Sequence, residues 1–237
     1  APARCPASEA AVLGALRQYA AARPPPDAAD VDALAAAEVQ AGELWAAAAS
    51  MKPGKAPGPD GLPPELYRKA GHLLLPMLAA VCTAVGQGGT APPAFLRGVI
   101  TVIYKGKGPR SDLGSYRPIT LLNTDYRLLG RALATRLGPV LATAIGPEQN
   151  AFMPGRLIGD NITLLQLLPQ LLRSNAGDAG AGGATRGVVA FLDFRKAFDT
   201  VSRPFLFSCM EVVLGPRGAG AVSWARALLG DTRATAV

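Results

Sequence analysis

The chain has 237 residues, 49% of them apolar, and carries 24 Lys and Arg against 17 Asp and Glu, a formal net charge of +7. This length and apolar content support a packed core and exclude a disordered tail. The charge favours polyanionic partners, nucleic acid first and an acidic membrane surface second. Cys5, Cys82 and Cys209 lie far apart and His72 is the one histidine, which excludes a zinc ligand set and a disulfide framework and fits thiols in a reducing compartment.

Residues 1–50 read as Ala-rich helices broken at "RPPPD". The start, "APARCPASEA", has no initiator methionine and no signal-like apolar region, so the chain is expected to be a segment of something longer. A Pro-Gly loop, "KPGKAPGPDGLPP", follows, and Pro63 and Pro64 suit the first turn of a helix through "ELYRKAG". An apolar helix over 72–85 ends at "GQGG"; it is too short to span a bilayer and contains Pro76. "GVITVIYK" is rich in β-branched residues and reads as a strand, "KGKGPRSDLGS" as a basic turn and "YRPITLL" as the partner strand. Asn123 or Thr124 can cap a helix through "DYRLLGRALATRLGPVLATAI", whose leucines recur at helical spacing. A further helix, "DNITLLQLLPQLL", precedes the Gly- and Ala-rich "SNAGDAGAGGATRG". "VVAFL" then reads as a strand buried on both faces, and two short helices end the chain. Strands mixed irregularly with helices predict an α+β fold.

Three places could carry chemistry. Asp193 stands where the "VVAFL" strand would emerge, beside a core yet open to a cation; it is either a turn residue capping the next helix or a ligand for Mg²⁺, which wants hard oxygen donors. Asp199 has the stronger claim to a structural role, because it lies near Ser202, the expected cap of a helix over "RPFLFSCMEVVL". Lys105, Lys107 and Arg110 flank the glycine-containing turn, with Arg117 on the next strand. Such a hairpin presents point charges and a guanidinium fork to a triphosphate, or it is a solvated tip whose charges guard a sheet edge. "EQNAFMPGR" brings Arg156 just ahead of a helix. The loop at 52–64 lacks the Gly-Lys-Ser/Thr ending of a P-loop, which argues against an NTPase.

The order of these pieces is more specific than any one of them. "KAPGPDGLPPELYR", "VITVIYKGKG", "SYRPITLLNTDYRLLGRALATRL", "EQNAFMPGRLIGDNI" and "VVAFLDFRKAFDTVSRPFL" together resemble the reverse transcriptase domain of non-LTR (LINE-type) retrotransposons, from about Met51 onward. The resemblance implies a right-hand polymerase arrangement: a helical N-terminal extension over 1–50, fingers over 51–186 and an incomplete palm over 187–237. It implies that Lys105 and Arg117 contact the incoming triphosphate, and that Lys107, Arg110 and Arg156 lie along nucleic acid, Arg156 as a template-backbone contact. Asp193 matches the first metal-binding aspartate, the Phe194 carbonyl helps hold a metal, and Phe198 matches the aromatic gate that excludes a 2′-hydroxyl. The implied chemistry is RNA-directed DNA synthesis with two Mg²⁺ ions, on an RNA template, a DNA primer and dNTPs, alongside downstream palm and thumb segments of a polyprotein, inside the cell in nucleus and cytoplasm.

One departure matters. The family's further metal-binding carboxylates come on an Asp-Asp hairpin, and no two aspartates are adjacent anywhere in this sequence. The chain is therefore expected to be inactive on its own, the alternative being a non-catalytic RNA-binding remnant. An unrelated Mg²⁺ phosphotransferase with Asp193 as nucleophile is disfavoured, since position 195 is Arg rather than a second acid.

Overall fold

In the computed structural model, which describes residues 6–176, 189–194, 200–230 and 233–236, the N-terminal helices break where the prolines stand. Helix α1 spans Pro6–Ala21 and α2 Ala28–Ala35, and Asp27 caps α2 by accepting from the Ala29 and Asp30 amides at 2.8 and 3.4 Å. Helix α3 is Ala41–Ser50, α4 Pro64–Lys69 and α5 Gly71–Gly86. Pro64 opens α4, a position whose amide would have no partner in the helix. Strand β1, Arg97–Tyr104, and β2, Tyr116–Leu122, pair antiparallel as expected, with Ile103 opposite Arg117 and Tyr104 opposite Tyr116. Then come α6 (Thr124–Ala144), α7 (Ile158–Ala176), α8 (Arg203–Leu214) and α9 (Ala219–Leu229). Ser202 caps α8, its Oγ accepting from the Phe205 amide at 3.3 Å. The fold is α+β, and among the described residues no helix is long and apolar enough to cross a membrane.

The sheet departs from the expected one. Its order is β2-β1-β3, with the short strand β3 (Arg233–Ala236) parallel to β1. The expected buried strand at "VVAFL" is not found: residues 189–194 are unpaired and exposed, with Phe191 79%, Leu192 93% and Phe194 83% accessible. A strand needs a ladder partner for its amides and carbonyls, and residues 189–194 have none in the β2-β1-β3 sheet.

The main core gathers Leu44 from α3, Leu75 from α5, Leu128 and Leu129 from α6 and Trp224 from α9. Phe95 and Tyr126 meet edge to face at 5.5 Å inside it. A second cluster joins Val31 and Leu34 of α2 to Val140, Leu214 and Ala221. Residues 28–50 thus share their core with α6 and α9. Arg136 on α6 locks the arrangement: its Nε and Nη2 donate to the two Glu43 carboxylate oxygens at 2.7 and 2.6 Å, and it also reaches the carbonyls of Ala36 and Glu38.

Candidate nucleotide and nucleic-acid interface

The β1–β2 hairpin is built around two tyrosines. Their rings lie 5.5 Å apart; Tyr104 Oη donates to the Gly108 carbonyl at 2.6 Å and Tyr116 Oη to the Arg110 carbonyl at 2.9 Å. Gly106 and Gly108 adopt φ of 79° and 85°, left-handed values that glycine tolerates best. Asp112 closes the turn by accepting from the Gly114 amide at 2.8 Å. Lys105 extends the ladder, its amide donating to the Ser115 carbonyl at 2.9 Å.

This register sorts the basic side chains. Directly opposed residues share a face and alternate residues return to it, so Arg117, opposite Ile103, projects on the same side as Lys105. Arg110 lies on the other side, its guanidinium 5.1 Å from the Tyr104 ring centroid. Lys105 Nζ donates to the Gly114 carbonyl at 2.7 Å, while Lys107 and Arg117 are exposed and form no ion pair among the described residues. Asp112 is the sole carboxylate between 105 and 117, which leaves the tip positive.

Behind the hairpin, Asn123 occupies the N-cap position of α6 without capping it. Its buried amide is spent on tertiary contacts: Nδ2 donates to the Ala94 carbonyl at 3.0 Å and Oδ1 accepts from the Asp60 amide at 3.2 Å. Thr124 Oγ1 donates to the Leu62 carbonyl at 2.7 Å. These two residues tie the approach to β1 and the start of α6 to the Pro-Gly loop. A Cβ on Gly58 would fall 2.4 Å from the Asn123 amide nitrogen, so glycine permits the close approach. Beneath the loop, burial first and then the Asp125 and Asp60 charges push the Tyr67 phenol up to about 12. Burial likewise raises the Asp125 carboxyl.

Arg156 is held inward. Its guanidinium donates to the carbonyls of Ala142, Ile145, Gly146 and Gln149, closing the C-terminal end of α6, where unpaired carbonyls and the negative end of the helix dipole favour a cation. The neighbouring Asn150 is buried and donates to Asn161 at 2.7 Å, while Phe152 adopts φ of 61° and is 96% exposed.

Asp193 is exposed on the unpaired segment 189–194, followed by the exposed Phe194. Phe198 and Asp199 lie outside the described residues. Among the described residues no three His, Cys, Asp or Glu side chains group as a metal site. The hairpin therefore brings Lys105 and Arg117 together, whereas Arg110 and Arg156 face elsewhere. Sequence reasoning missed the tertiary work of Asn123 and Thr124; the close glycine-proline spacing of the loop they hold was the available signal.

Residues 104–234, more than half of the chain, match the model of the family described as "Reverse transcriptase (RNA-dependent DNA polymerase)". The chain is 33% identical over 179 residues to the "Transposon TX1 uncharacterized 149 kDa protein" of Xenopus laevis, a match covering 75% of this chain and 13% of that protein. Two Drosophila melanogaster proteins also match. The "Retrovirus-related Pol polyprotein from type-2 retrotransposable element R2DM" is 25% identical over 68% of this chain and 14% of its own length. The "Probable RNA-directed DNA polymerase from transposon X-element" is 28% identical over 62% of this chain and 16% of its own length. The chain thus spans less than a fifth of each of these relatives. Its motif blocks, its basic hairpin and these matches agree: the chain belongs to the reverse transcriptase family, in the company of proteins encoded by non-LTR retrotransposons.

Proposed function

We propose that this chain handles template and nucleotide in an RNA-directed DNA polymerase, with fingers over 51–186 and the start of a palm over 187–237. The observation that carries the reading is a basic hairpin, with Lys105 and Arg117 on one face, inside the stretch matched by the family model. On this reading Lys105 and Arg117 take the triphosphate of a dNTP, where two positive groups neutralise charge that builds on the transferring phosphate. Lys107 and Arg110 lie along the RNA template and DNA primer. Arg156, which also holds the loop after α6, follows the template backbone. Phe198 gates against a 2′-hydroxyl. The work is intracellular, in nucleus and cytoplasm.

For the divalent ion that such polymerases use, Asp193 and the Phe194 carbonyl offer two oxygen donors. Mg²⁺ demands an octahedral set, and two ions need several carboxylates, so these residues alone do not fit a two-ion site. Within these 237 residues no adjacent aspartates complete it. A second reading, an RNA-binding module without catalysis, is favoured by the net charge of +7 and by the exposed Lys107 and Arg117 of the hairpin.

Two assays test the proposal. Photolabelling by an azido-dNTP should fall several-fold in Lys105→Ala/Arg117→Ala; unchanged labelling overturns the nucleotide role. Primer extension on poly(rA)/oligo(dT) with Mg²⁺ should yield no product from this chain alone, and robust synthesis would show that one aspartate suffices.

A further inference from the structure

Helix α5 carries no Asp, Glu, Lys or Arg on any side, and none stands between Lys69 and Arg97. Its inner side, with Leu75, Ala79, Cys82 and Val85, is buried against α3, α4 and α9. The outer side is just as apolar and lies bare: Leu73, Met77 and Val81 are between 43% and 69% exposed. A helix that is apolar all round belongs in an interior, and this one is too short to cross a membrane. Its outer side is therefore a surface that something covers.

The relief of this side says what fits it. Leu73, Met77 and Val81 follow one another at every fourth position and form a ridge. Beside them Pro76, Ala80 and Ala84, also exposed, form a parallel and lower row. A ridge next to a groove of the same pitch is complementary to itself. Turned about a two-fold axis, the ridge of one chain enters the groove of the other and its own groove is filled in return, the isologous contact of symmetric pairs. Charge points to the same occupant. Two chains of formal charge +7 repel one another, and this uncharged helix is where they meet with least repulsion.

We infer that two copies of this chain pair through the outer side of α5, ridge into groove, with the helices crossing at about −50°. The pairing goes beyond the polymerase reading and does not depend on it. Its strength follows from its size. The 16 residues of α5 make a helix about 24 Å long. A strip about 10 Å wide along it stays well below the roughly 800 Å² per partner of a stable interface. The pair is therefore weak and fills only at high concentration.

The test is analytical ultracentrifugation of the whole chain over about 5 to 500 μM, the range of weak encounters, in salt that screens the net charge. The weight-average mass of the parent should climb toward twice that of one chain. Met77→Glu places a charge at the crossing point and should hold the chain at single mass throughout. Ala80→Leu fills the groove and should weaken association roughly ten-fold, although it adds apolar surface, because a fitted contact does not tolerate overpacking. Both positions are exposed in the single chain, so both variants should keep the parent urea midpoint at low concentration. A parent chain that stays at single mass overturns the pairing; if it then sediments with phosphatidylcholine vesicles, the face is a membrane contact instead. Association that survives Met77→Glu runs through another surface, such as α7, and association strengthened by Ala80→Leu is unspecific apolar adhesion. Either result also overturns the pairing.

Discussion

Helices α6 and α7 are similar in composition and opposite in fate. They have 21 and 19 residues, and each carries an internal proline, Pro139 and Pro169. Helix α6 buries Tyr126, Leu128, Leu129, Leu133 and Val140, with Leu128 and Leu129 at zero exposure. Helix α7 leaves Ile158, Ile162, Leu164, Leu165, Leu167 and Leu171 between 41% and 64% exposed. Helical periodicity says which face of a helix wants burial, and supplies nothing to bury it against. What α6 has in addition is partners: α2 and α3 pack along it, and Arg136 grips Glu43 across the gap.

The sharpest way to break the comparison is to delete a leucine from each helix. Leu128→Ala opens a cavity in a closed core and should cost about 2–5 kcal/mol by urea denaturation. Leu164→Ala removes a side chain 59% exposed, and should cost no more than about 0.5 kcal/mol. It should also reduce the binding of a hydrophobic dye, because the α7 face is the larger apolar surface left open. Equal costs would mean that α7 is covered in solution.

The grip of α6 on α3 comes next in size. Arg136 is only 10% exposed and Glu43 30%, so Arg136→Met strands a partly buried carboxylate and two carbonyls and should cost about 2–3 kcal/mol. The same pair gives a pH signature. The Arg136 hydrogen bond, chiefly, holds the Glu43 carboxyl below its ordinary 4.5. A folded pKa below the unfolded one stabilises the fold above the unfolded value, and that stability is lost as pH falls from about 4.5 through the depressed folded value. Asp125 opposes this. Burial raises its pKa, so its charge destabilises the fold at neutral pH and the penalty lifts as pH falls through the raised value. Urea midpoints measured from pH 7 to pH 3 should therefore drop more steeply in Asp125→Asn, where nothing at position 125 offsets the Glu43 loss, than in the parent chain.

The same contrast explains what could be read from the sequence. The β-branched run before Tyr104 and the leucine spacing of α6 are local signals, and both elements form where expected. Asn123 reads locally as a cap, yet its amide is spent on Asp60 and Ala94, far along the chain. Nothing local in the sequence pairs Arg136 with Glu43, 93 residues away. "VVAFL" has the composition of a buried strand, but composition does not supply the ladder partner that a strand needs. For the site, motif order pointed to Lys105 and Arg117 together; that Arg110 faces the other way follows from register, which composition alone does not set.

The smallest expected effect on stability falls on the segment that most resembles α7 in exposure. Asp193 sits on an unpaired, exposed stretch, so Asp193→Ala should move the urea midpoint by no more than about 0.5 kcal/mol equivalent. Its consequence should appear elsewhere. If Asp193 holds a divalent ion near bound nucleic acid, Mg²⁺ should strengthen primer-template and dNTP binding by the parent chain and have a weaker effect on Asp193→Ala. Identical Mg²⁺ dependence in the two chains, with salt-sensitive RNA binding retained, would favour the binding module over the polymerase segment. A large loss of stability would show instead that the segment packs in solution, and the contrast between closed core and open face would have to be redrawn at Asp193.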